Sequence, residues 1–249
     1  MTDRRPDAGD PPMNPPGSGV ETYRVARDRV LGRIAAACMR AGRDPAEVTL
    51  IAVSKTIPAA ALRDALTAGL DELGENRVQE AVAKAPNVPG ARWHLVGPLQ
   101  SNKARRALEV FESIQTVDSV DLAQRLDRLV PEVRGGGRYP VLAQVNVDLD
   151  PAKAGFEPAE LDRALAALLD LPNLSVGGLM TVGRLTADPV EARRTFRELR
   201  ALSDRCRARW AALGPALSMG MSDDFETAVE EGATIVRVGR ALFGERFDR

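Results

Sequence analysis

Short apolar runs alternate along this chain with longer stretches whose apolar residues recur at helical spacing. The first periodic stretch spans about Val20 to Gly42, where Val25, Val30, Leu31, Ile34 and Ala35 recur among arginines, the pattern of an amphipathic helix stopped by glycine. Apolar runs with strand character follow at Val48–Ser54, Glu72–Gly74, Trp93–Val96, Ser113–Val117, Val141–Val147, Val176–Val182, Ala216–Met219 and Thr234–Val238. Between them lie helical patterns at Ala59–Ala68, Arg77–Ala85, Lys103–Val110, Leu122–Leu129, Pro158–Leu169, about Val190–Ala212 and Asp223–Glu231. Strands alternating with helices in this way predict an α/β protein, a single (β/α)8 TIM barrel. A doubly wound open sheet is the alternative, and no Gly-x-Gly-x-x-Gly follows the first strand to support it. Residues 1–19, rich in Pro, Gly and Asp, predict a disordered tail, which leaves 20–249 as one barrel domain.

Composition narrows the function more than the fold. The 249 residues carry a net charge of −1, so the overall electrostatics favour neither nucleic acid nor an acidic membrane surface. No apolar run approaches the roughly 18 residues that span a bilayer, and Arg4 and Arg5 lead into no apolar signal core. Cys38 and Cys206 stand far apart with no disulfide or metal spacing, which suits a reducing cytoplasm.

In a (β/α)8 barrel the chemistry sits where strands end and helices begin. Leu50 to Thr56 is an apolar run that ends on Lys55. A lysine desolvated at such a mouth loses its proton more easily and can attack a carbonyl; a surface lysine capping the strand is the alternative. The loops after the seventh and eighth strands are the usual phosphate cradle of this fold. Ser222 there reads as a helix N-cap or a phosphate contact, and Gly239 as a turn or a close backbone approach. Asp223 and Asp224 oppose an anion, whereas Arg237 and Arg240 would offset them. Arg237 shares strand parity with Ile235 and Gly239, so it enters the barrel if that face points inward, and a buried arginine needs a partner. His94, the single histidine, reads as a satisfied core residue, and without others neither a histidine zinc site nor a Ser-His-Asp triad is available.

Six stretches occur together in order: Ala52-Val53-Ser54-Lys55-Thr56, Gly74-Glu75-Asn76, Trp93 to Lys103, Gly178-Leu179-Met180, Leu217 to Asp224, and Val236-Arg237-Val238-Gly239. From roughly Val20 to Phe247 the chain resembles the pyridoxal-phosphate homeostasis proteins, whose barrel is similar to the N-terminal domain of alanine racemase. The resemblance implies that Lys55 holds pyridoxal 5'-phosphate as a Schiff base. It also implies that Asn76 lies near the cofactor, that Ser222, Gly239 and Arg240 form the phosphate cradle, and that Arg237 faces the pyridine nitrogen. Two positions depart from the family pattern: Ile57 stands where a second lysine is common, and Arg240 where Thr or Ser is common. The side-chain hydroxyl contact at 240 is thereby lost, while the backbone N–H contact survives. The implied role is a cytoplasmic, monomeric carrier or regulator of the cofactor without turnover, with cofactor-dependent apo-enzymes as partners. A racemase or decarboxylase using the same cofactor is the rival, and a Schiff-base aldolase acting on a phosphorylated sugar is a third. Against the racemase stand the expected lack of a second domain and the presence of only two tyrosines, Tyr23 and Tyr139.

Overall fold

A computed structural model describes residues 19–183 and 189–244 of the protein. Its strands are β1 (Thr49–Val53), β2 (Glu72–Glu75), β3 (Arg92–Leu95), β4 (Ser113–Val117), β5 (Tyr139–Gln144), β6 (Leu174–Met180), β7 (Ala216–Ser218) and β8 (Ile235–Val238). Each is parallel to its neighbours, and the ring closes in sequence order through β8 against β1. The helices are α1 (Val20–Ala41), α2 (Ala59–Thr67), α3 (Val78–Lys84), α4 (Ala104–Val110), α5 (Val120–Arg134), α6 (Leu161–Leu169), α7 (Pro189–Arg209), α8 (Phe225–Glu230) and α9 (Arg240–Phe243). The expected tail lies outside the described residues except for Gly19, which is the N-cap residue of α1. No described helix is long and apolar enough to cross a membrane.

The barrel has two packed layers. Outward side chains of the strands, among them Ala52, Leu73, Leu95 and Ile114, bury against Ala61, Leu62, Ala81 and Leu108 of the helices. This continuous apolar layer is where most of the hydrophobic stabilisation resides. The inner layer is partly polar. Low in the barrel, His94 is bonded by Glu72 at Nε2 and by Ser113 at Nδ1, so both ring nitrogens are satisfied, as expected for a core histidine. Burial works against the Glu72 charge, but His94 and Arg92 outweigh it and hold that carboxyl below its ordinary range.

Several elements depart from the pattern-based reading, β6 (Leu174–Met180), α6 (Leu161–Leu169) and α8 (Phe225–Glu230) among them, and three further departures are instructive. The buried stripe of α1 is Tyr23, Val30, Ile34, Ala37 and Cys38, while Val25 and Leu31 face out. Helix α5 runs through Pro131 to Arg134 instead of stopping at Leu129. Proline leaves the carbonyl four residues earlier without its helical donor, and here Asn173 Nδ2 donates to that Asp127 oxygen at 3.2 Å. Strand β5 starts at Tyr139 rather than Val141, because the tyrosine hydroxyl anchors it by donating to Phe111 O at 2.7 Å.

Candidate active site at the mouth of the barrel

Closure of the ring decides which strand ends meet. Ala52 pairs with Val238, and Val53 pairs with Gly74. The residues just beyond, Gly239, Lys55 and Asn76, therefore emerge side by side on three adjacent strands. A Cβ built on Gly239 would stand 3.4 Å from Val53 O, so the chain after β8 runs against the strand that carries Lys55.

Strand β1 ends at Val53, and Lys55 is half-buried in the turn that follows. Thr56 next to it has φ 69. Positive φ in a β-branched residue is a true outlier, and such strain concentrates at functional sites. Asn76 is half-buried one residue past β2. Gly97 packs on its backbone, since a Cβ there would lie 2.4 Å from Asn76 O.

Ser222 does not cap a helix. Helix α8 begins at Phe225, and the Ser222 hydroxyl accepts the Gly239 N–H at 3.2 Å. The two residues thus face one another across the β7 and β8 loops. The neighbouring acids are both engaged. Asp224 accepts the Met221 N–H at 2.6 Å, and Asp223 pairs with Arg240. Arg240 and Asp223 are largely exposed, so the Arg240 charge is offset at the surface. The repulsion expected from the two aspartates is reduced in the same way.

Arg237 does point inward and is 4% exposed. Its Nη1 donates to Ser218 Oγ at 2.6 Å and its Nη2 to Thr181 O at 2.7 Å. Ser218 Oγ donates in turn to Gln115 Oε1 at 2.7 Å. Strands β4 and β7 are not neighbours, so this bond crosses the barrel interior. Burial pushes the Arg237 guanidinium down to about 10, with Asp224 pulling it back up, and it stays charged at neutral pH. Burial likewise raises Asp224 above the ordinary carboxylate range, against the pull of the Met221 N–H and Arg237.

All six sequence-predicted residues lie at this end of the barrel. Gln115 and Thr181 were not singled out as arginine partners, because only strand register brings them to Arg237. Also unanticipated is a buried pair behind the Lys55 turn, in which Lys84 Nζ lies 2.7 Å from Glu75 Oε1. Among the described residues no cluster of His, Cys, Asp and Glu is arranged to hold a metal ion.

A lysine just past β1 and an inward arginine on β8 of a closed (β/α)8 barrel go with a class of fold, and the alanine racemase N-terminal domain model matches residues 33–247. More particularly, the chain belongs to the family of pyridoxal phosphate homeostasis proteins. It is 45% identical to the Pseudomonas aeruginosa protein of that name over 223 residues, which is 88% of this chain and 93% of the relative. The Escherichia coli K12 protein of that name is 40% identical over 226 residues, covering 88% and 94%. Among solved structures, PipY of Synechococcus elongatus PCC7942 with pyridoxal phosphate bound is 43% identical with a TM-score of 0.75, over 86% of this chain and all (100%) of PipY.

Proposed function

We propose that this protein binds pyridoxal 5'-phosphate at the mouth of its barrel and serves as a carrier or regulator of that cofactor. The observation that carries the reading is the convergence of Lys55, Asn76, Gly239 and Ser222 at the β8–β1–β2 edge, above the buried Arg237. The residues fit the group. Ser222 Oγ, Gly239 N–H and Arg240 N–H suit a phosphate, and the first N–H groups of a helix lack intrahelical acceptors. Arg237, charged at neutral pH, offers an N–H donor to a ring nitrogen, and Asn76 a neutral amide beside the ring. When bound, pyridoxal phosphate supplies an aldehyde open to a primary amine and a ring that draws electrons from the resulting bond. Lys55 supplies that amine.

The PipY structure with the cofactor bound and the name shared by the relatives support the reading. Reduction of the loaded protein with borohydride and peptide mapping should find the pyridoxyl group on Lys55, and Lys55→Ala should lose it. A label on Lys84, Lys103 or Lys153 would overturn the assignment.

The same site supports binding without turnover. Racemisation needs a proton removed from one face of a carbon and returned on the other, hence two acid–base groups. Tyr139 is not placed for this: its hydroxyl is tied to Phe111 O, and burial drives its pKa far up. Tyr23 is buried against the edge of Phe243, with its pKa raised by burial and by Asp64. The ring nitrogens of His94 are both committed lower in the barrel. Incubating the loaded protein with L-amino acids in deuterated water should give no α-hydrogen exchange near about 1 s⁻¹. Exchange at that rate, lost in Lys55→Ala, would establish an enzyme. A cytoplasmic monomer that passes cofactor to apo-enzymes completes the proposal, and the buried, unpaired Cys38 and Cys206 suit a reducing compartment.

A further inference from the structure

Helix α3 carries a charged cluster that grips both peptide groups flanking Lys55. On the near side, Lys84 Nζ donates to Ser54 O at 2.9 Å. On the far side, the Thr56 N–H donates to Glu80 Oε2 at 3.2 Å. The two α3 residues are themselves an i,i+4 pair, with Lys84 Nζ 3.5 Å from Glu80 Oε2. Glu75, at the end of β2 and 0% exposed, anchors the arrangement from beneath. Its Oε1 accepts from Lys84 Nζ at 2.7 Å and from Ser54 Oγ at 2.8 Å. Its Oε2 is buried with no hydrogen-bond partner.

This expenditure needs a reason. A buried ion pair is seldom the most stable filling of a protein interior, and an orphaned carboxylate oxygen makes it worse. The compensation lies in the turn it clamps. Thr56 holds φ 69, which a β-branched residue leaves unless its surroundings over-determine it. The Glu80 bond falls on that very residue. Without it, relaxation of Thr56 would rotate the chain at the next peptide and redirect the Lys55 Cα–Cβ bond.

We propose that Lys84, Glu75 and Glu80 are positioning residues that hold the strained Lys55–Thr56 turn and so aim the Lys55 amine across the barrel mouth. They act through the backbone and need touch no ligand. The inference rests on the reading of Lys55 as the attachment point, so the experiment separates the two.

Glu80 is the residue to change, because it is partly exposed and its removal leaves the Lys84–Glu75 pair intact. In the full chain, Glu80→Ala removes the acceptor, whereas Glu80→Gln keeps an acceptor and loses only the charge. Three quantities are measured in the cofactor-free and loaded protein: hydrogen exchange of the Thr56 amide, thermal melting, and the pyridoxal phosphate dissociation constant. Glu80→Ala should melt as a folded barrel, exchange the Thr56 amide faster, and bind about three- to tenfold more weakly, the equivalent of one lost hydrogen bond. Glu80→Gln should recover most of both losses, and Glu80→Ala/Thr56→Asn should recover part of the binding, since Asn tolerates positive φ.

Faster Thr56 exchange with unchanged affinity overturns the positioning role, and so does unchanged exchange. Borohydride labelling of the unaltered protein is run alongside. A label away from Lys55 overturns the attachment reading, whereas a label on Lys55 with unaffected Glu80→Ala binding overturns only this inference.

Discussion

Lys84→Met should destabilise the barrel by about 3–5 kcal/mol at neutral pH, because it strands a buried carboxylate. The Lys84 side chain is 12% exposed and Glu75 is fully buried, so solvent cannot take over the lost interaction. Burial pushes the Glu75 carboxyl above its ordinary range, while the hydrogen bond and charge of Lys84, with Ser54, pull it back down. Losing Lys84 lets it rise further. The folded variant then binds a proton that its unfolded chain releases, so its stability grows as pH falls through the raised value. That gain is complete below the ordinary carboxylate value. The deficit against the parent protein should therefore be largest near about pH 7 and shrink toward about pH 5. Urea unfolding at both values measures it. Glu75→Gln/Lys84→Met, which removes the charge as well as its partner, should recover much of the loss. A deficit equal at the two pH values would mean that Lys84 contributes packing alone.

That pair marks the limit of what could be read from the chain. The strand–helix rhythm was legible because a period of two and a period of 3.6 leave different apolar spacings. Lys55 and Arg237 were legible because charged residues interrupt strand patterns at their ends. Glu75 and Lys84 stand nine residues apart across a loop, and whether they meet depends on how α3 lies over β2. No local periodicity carries that information. The same holds for Gln115 and Ser218, joined across the barrel at a separation of 103 residues.

Elsewhere tertiary contacts decide between readings that local signals leave open, or overrule them. Ser222-Asp223-Asp224 presents three residues able to cap a helix, and capping preference does not choose among them. Packing starts the helix at Phe225 and releases the Ser222 hydroxyl toward Gly239. Pro131 is a strong stop signal, overridden because Asn173 from the next unit supplies the missing donor to Asp127 O. Arg240, by contrast, offsets a neighbouring acid as its place in the sequence suggests, through its pair with Asp223.

Gly220→Ala should strongly damage the candidate site, costing roughly 2–5 kcal/mol from two separable sources. Gly220 sits between β7 and Ser222 with φ 91, a left-handed conformation. A side chain there costs about 1–2 kcal/mol on backbone grounds. Its added Cβ would also lie 2.5 Å from the Ala228 Cβ and 3.0 Å from the Phe225 Cα, so α8 must move. Forcing a methylene into packed surroundings adds about 1–3 kcal/mol. Gly135→Ala isolates the first source: Gly135 has φ 73, and nothing lies within 4 Å of its added Cβ. It should lose only the backbone part. The two variants should differ in function as well. The Gly220 carbonyl accepts the Arg237 N–H at 3.0 Å, and Ser222 follows two residues later. Displacing this loop shifts the cradle and the arginine strand together, so Gly220→Ala should weaken pyridoxal phosphate binding while Gly135→Ala leaves it unchanged. Chemical unfolding and cofactor titration of both variants decide the matter. Equal stability losses would show that α8 yields freely to the methyl, and equal binding would detach the loop from the site.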